Sequence, residues 1–132
     1  MEPLSITLDA MLVALFGGVV ALDRRSAFQV MVSQPLVCVP LLGLVFGYLE
    51  LAFGVAVLLQ LIWMSSVLFG ANVPPNDTLA SVIISGILFL YANSFGEPSG
   101  ALICIAILLG VPLSLVGKRF DIRLDRANLD LA

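Results

Sequence analysis

Histidine is absent from this 132-residue chain and charge is scarce: six Lys and Arg, nine Asp and Glu, together 11% of the residues. Without an imidazole or a Cys-x-x-Cys, and with Cys38 and Cys104 each inside an apolar run, neither a metal site nor a disulfide framework has a ligand set. A net charge of −3 with so few basic groups gives no footprint for a phosphate backbone, which excludes nucleic-acid binding. No Gly-rich phosphate loop, nucleophile elbow or acid pair at useful spacing is present, so the motifs of soluble enzymes are missing as well. No cofactor is expected.

What fills the chain instead is hydrocarbon. Hydrophobic residues make up 61% of it, with a mean hydropathy of +1.13, whereas soluble domains are nearer ~45–50% apolar and ~25% charged. A bilayer tolerates this composition, because helices satisfy their own backbone and turn apolar side chains to lipid. The expected fold class is an all-α integral membrane protein of about four to five hydrophobic helices.

Apolar stretches run over 4–22, 28–47, 51–69, 79–92 and 100–117. The first is read as a span, not a signal peptide, because Met1-Glu2-Pro3 carries no basic group and Asp23-Arg24-Arg25 replaces a small-residue cleavage site. A crossing needs about 20 helical residues, so the first, second, third and fifth stretches are long enough. The fourth is short and suits a re-entrant arm or a tilted helix. Pro35 and Pro40 are expected to kink or break the second stretch, and Pro112 to bend the fifth.

The six basic residues form two clusters: Arg24 and Arg25, then Lys118, Arg119, Arg123 and Arg126. The positive-inside rule puts both clusters in the cytoplasm and the N-terminus outside. An even number of crossings then separates them. Four spans meet that condition, and so do two spans plus a hairpin that dips in and returns. Residues 1–117 are expected to be the membrane domain and 118–132 a cytoplasmic amphipathic tail. In that tail Phe120, Leu124, Ala127 and Leu131 share one stripe, beside Arg119, Arg123 and Arg126. The pattern fits a helix on the inner membrane face or one docked on its own protein.

The centre of the chain breaks the apolar pattern with Asn72, Pro74, Pro75, Asn76, Asp77 and Thr78. Two prolines preclude a continuous helix, so a broken or re-entrant segment is expected around 72–78. Asn76 or Asp77 is placed to cap the helix that follows. Irregular backbone at membrane depth occurs only where protein buries it or a watery cavity is lined by it, and broken helices build many transporter sites. Asn72, Asn76, Asp77 and Thr78 are therefore candidates for binding a polyol, whose hydroxyls amides and carboxylates can bracket. Gln60, a long amide inside an apolar run, either bonds another helix or contacts a ligand. Trp63, three residues on, is expected in an interfacial aromatic belt, with stacking on a sugar ring the other option.

The ordered set "LD" after the first span, "QPLV…GLVFG" in the second, a Gly-containing third span and "GANVPPNDTLAS" resembles the IIC membrane component of the mannose/fructose/sorbose-type phosphotransferase system. The resemblance covers essentially the whole chain and corresponds to about the first half of a typical IIC subunit. Three positions depart from members resembling the mannose transporter: Gln60 stands where they carry Glu, Asn76 where a carboxylate follows the proline, and Leu68 where they carry Asn. The resemblance implies a translocator, not an enzyme. It would move a hexose or amino sugar across a bacterial inner membrane beside a IID subunit, with cytoplasmic IIA and IIB proteins carrying the phosphoryl group on histidines. A chain without histidine cannot be such a carrier. The substrate contacts implied are Gln60, Asn72, Asn76, Asp77 and Thr78, in an assembly expected to be oligomeric. The alternative is a non-transporting regulatory or structural subunit derived from such a permease.

Overall fold

The structure is a computed structural model and describes residues 3–25, 31–64 and 76–131. It contains α1 (Pro3–Arg25), α2 (Pro35–Phe46), α3 (Leu49–Met64), α4 (Asp77–Phe95) and α5 (Gly100–Leu131). Among the described residues there is no strand, and the fold is the expected all-α membrane architecture.

The helix boundaries differ from the hydropathy pattern in an instructive way. Gln34 is extended, with φ −71° and ψ 140°, and Pro35 opens α2. A proline suits the first helical position, where its missing N–H is not needed, and it disfavours helix in the residue before it. Pro35 therefore starts the helix instead of kinking it, while Pro40 lies inside. Gly47 ends α2 at φ 79°, a left-handed conformation that glycine adopts without steric cost, and its N–H donates to the Gly43 carbonyl. Only Gly47 and Tyr48 separate α2 from α3, so the two helices form a tight hairpin. α2, whose two ends both lie among the described residues, has 12 residues and is about 18 Å long, short of a ~30 Å hydrocarbon core, and α3 is described over 16 residues.

The fourth stretch, expected to be the short one, is instead a 19-residue helix. Asn76 caps it early, and it runs on through Asn93, Ser94 and Phe95, beyond the end of the apolar stretch at Ala92. With α1 and α5 it is one of three helices long and apolar enough to cross a bilayer. The short helix is that of the second stretch, and the third stretch is described only as far as Met64. α5 continues without a break from the fifth stretch through the tail, 32 residues including Pro112.

α4 is the axle of the fold and packs against α1, α2, α3 and α5. In lipid no hydrophobic force drives helices together, so close approach through small residues has to supply the packing. A Cβ on Gly86 would lie 2.6 Å from Val13 of α1, and one on Gly17 would lie 3.1 Å from Val82 of α4. Gly110 of α5 admits Ile84 in the same way, and Gly43 admits Ala52 within the hairpin. Phe46 stacks on Phe89, with centroids 5.9 Å apart, and joins the hairpin to the axle. Asn93 of α4 also donates from Nδ2 to Asp9 Oδ2 of α1 at 3.0 Å. The outward faces carry exposed Leu8, Met11 and Leu15 on α1 and Leu108 and Leu115 on α5, as a lipid-facing surface requires.

Candidate functional site

Two helix N-termini, those of α2 and α4, meet at one end of the bundle, and the candidate residues gather there. The free N–H groups of α2's first turn need acceptors. Val37 and Cys38 both donate to the Gln34 carbonyl at 2.9 Å. Leu36 N donates instead to Gln60 Oε1 of α3 at 3.3 Å. Gln60 is thus a cap supplied from the opposite arm of the hairpin, which is the helix-to-helix bond among its two readings.

Thr78, only 2% exposed, donates from Oγ1 to the Ser33 carbonyl at 2.9 Å. Residues 33–36 therefore carry Thr78 on one side and Gln60 on the other. Asp77 Oδ1 accepts from the Thr78 N–H at 2.9 Å, which places its carboxylate at the positive end of the α4 dipole. Asn76 is the N-cap: its Oδ1 accepts from Leu79 N at 3.0 Å. The amide's other end, Nδ2, donates to Asp121 Oδ2 of α5 at 3.0 Å. The Asn76 backbone N–H donates to the Ser114 carbonyl at 3.2 Å. Asn72 lies outside the described residues.

Gln60 and Thr78 thus meet through the head of α2, Asp77 and Asn76 adjoin Thr78 at the start of α4, and α5 holds Asn76. Sequence reasoning missed Asp121, Ser33 and Ser114. The serines contribute backbone carbonyls, which leave no mark in a sequence. Asp121 stands among alternating charges, and its only signal is that it lies off the Arg119, Arg123 and Arg126 stripe of the helix. Trp63, expected in an interfacial belt, is 6% exposed and belongs to the core. A cleft of about 350 Å³ opens beside Asn76 and Asp121, walled by Ala21, Leu79, Phe120 and Leu124.

Chemically, the cluster offers an amide, a carboxylate and a hydroxyl at two converging helix N-termini. Those groups bind neutral polar ligands by paired hydrogen bonds, and the helix ends supply a positive local field. Among the described residues no group of three or more Cys, Asp or Glu could hold a metal ion.

Residues 7–129 match the family model for the PTS system sorbose-specific IIC component. No curated protein and no solved structure matches the chain. The family match covers nearly the whole sequence and agrees with the three membrane-length helices. This chain belongs to the sorbose-specific IIC family and is a multi-pass membrane component of a sugar phosphotransferase system.

Proposed function

We propose that this chain is the translocation subunit that moves a hexose or amino sugar inward through a bacterial inner membrane. Its N-terminus is outside and its tail cytoplasmic. The substrate contacts are Gln60, Asn72, Asn76, Asp77 and Thr78. Phosphorylation is left to IIA and IIB partners, with a IID subunit completing the membrane unit. The observation that carries the reading is the junction of two helix N-termini, lined by Gln60, Asn76, Asp77 and Thr78, in a chain of the IIC family. On this reading α2 and α3 form a re-entrant hairpin entering from the inner side, since α2 is too short to cross. The two basic clusters are then separated by the two crossings α4 and α5, an even number as charge placement requires.

Equilibrium binding of sorbose, mannose, fructose and glucosamine to the full chain assembled with its partner subunits tests the proposal. Saturable binding is expected, reduced at least tenfold by Asn76→Ala or Thr78→Val in protein that remains folded. No binding of any sugar by the complete assembly would sink it. A second reading, a non-transporting subunit, draws support from one observation: Gln60, Asn76 and Thr78 already make bonds that hold helix ends together. It predicts that the same substitutions lower stability without changing uptake.

A further inference from the structure

Asn76 is gripped by a single face of α5. Ser114, Gly117 and Asp121 are spaced i, i+3 and i+7, and so lie on one stripe of the helix. Ser114 accepts from the Asn76 backbone N–H at 3.2 Å. Gly117 lets the helix come so close that a Cβ there would lie 2.8 Å from the Asn76 Cβ. Asp121 accepts from Asn76 Nδ2 at 3.0 Å. The amide has one orientation compatible with its neighbours: the Leu79 N–H requires its oxygen, and the Asp121 carboxylate requires its nitrogen. An amide carries two donor hydrogens and two lone pairs. Fixing one of each fixes the direction of the others.

The stripe also crosses a boundary. Ser114 belongs to the apolar part of α5 and Asp121 to the charged tail, within one unbroken helix. A shift of the tail at Asp121 would therefore move the acceptor that Asn76 Nδ2 uses. We propose that Asp121 is a positioning residue for Asn76 and that the tail of α5 regulates the sugar site through this clasp. The inference rests on the reading of Asn76 as a substrate contact.

Two readouts test it, both on the full chain assembled with its partner subunits. The first needs no sugar. Cysteines placed by Ala21→Cys on α1 and Leu124→Cys on α5, both lining the cleft beside the clasp, are oxidatively cross-linked in a background of Cys38→Ala and Cys104→Ala. Cross-linking is expected to slow several-fold with either D121A or N76A, no further with both, and to recover in the exchanged pair N76D/D121N, where the bond can form in reverse. The second readout is affinity for sorbose, mannose, fructose and glucosamine. D121A is expected to weaken binding about tenfold, the scale of one hydrogen bond to a charged group, and to add nothing in an N76A background.

Cross-linking indifferent to D121A overturns the clasp, whatever the sugar does. Cross-linking that responds while sugar affinity does not overturns the positioning role and leaves a structural tie. An assembly that binds none of the sugars while the cross-link still responds overturns the transport reading and, with it, the regulatory role of the tail.

Discussion

Gln60 shows how far a single residue can be read. Its polarity inside an apolar run marks it at once as needing a partner, but the partner is the Leu36 backbone N–H, which carries no sequence signature. The same limit hid Ser33 and Ser114, whose carbonyls receive Thr78 and Asn76. The bond can be tested by chemistry at its acceptor. Gln60→Met keeps the length and removes the acceptor, leaving an N–H of the first turn without its cap. The expected loss is about 0.5–2 kcal/mol, the cost of removing a helix cap. Gln60→Glu keeps an acceptor and brings negative charge to the positive end of α2, so its stability should match or exceed that of the parent. Thermal unfolding in detergent separates the two, and a Gln60→Met protein as stable as the parent would show that the 3.3 Å contact contributes nothing.

At the scale of the elements, the number and type of helices were legible and their lengths were not. Hydropathy alone places 28–47 as a long stretch and 79–92 as a short one. The backbone follows local chemistry instead: Pro35 delays α2, Gly47 ends it, and the Asn76 cap begins α4 ahead of its apolar residues. Polar Asn93 and Ser94 extend α4 because the helix satisfies their backbone and Asn93 meets Asp9. Which glycines matter also depends on packing that no pattern reveals. A Cβ on Gly18 would meet nothing within 4 Å, whereas one on Gly110 would collide with the Ile84 side chain where α5 crosses α4. Gly18→Ala should therefore leave stability unchanged or slightly raised, since alanine favours helix over glycine by up to ~1 kcal/mol. Gly110→Ala should cost about 1–3 kcal/mol by overpacking, and Ile84→Ala in the same chain should recover part of it. Unfolding midpoints of the three variants decide the matter. Equal effects at Gly18 and Gly110 would mean that α4 and α5 do not pack through this glycine.

At the scale of the whole molecule, charge placement leaves four spans and two spans with a hairpin equally acceptable, because both keep the basic clusters on one side. Helix length favours the hairpin, since α2, bounded by extended Gln34 and by Gly47, is too short to cross at 12 residues. The two topologies differ at one place, the turn at Gly47 and Tyr48. In four spans it stands on the outer surface, as exposed as the α4–α5 connection. In the hairpin arrangement it stops short of that surface, and there it lines a pocket of about 240 Å³ together with Glu50 and Glu97. A membrane-impermeant thiol reagent added from outside measures the difference on chains carrying a single cysteine, with Cys38 and Cys104 replaced by alanine. Glu97→Cys is expected to react rapidly and Tyr48→Cys several-fold more slowly, both only from the outer side, while Arg126→Cys reacts only from the inner side. Equal rates at Tyr48→Cys and Glu97→Cys would put the turn at the surface and restore four spans. Reaction of Glu97→Cys from the inner side would invert the whole chain, and with it the direction in which the α2–α3 hairpin enters the membrane.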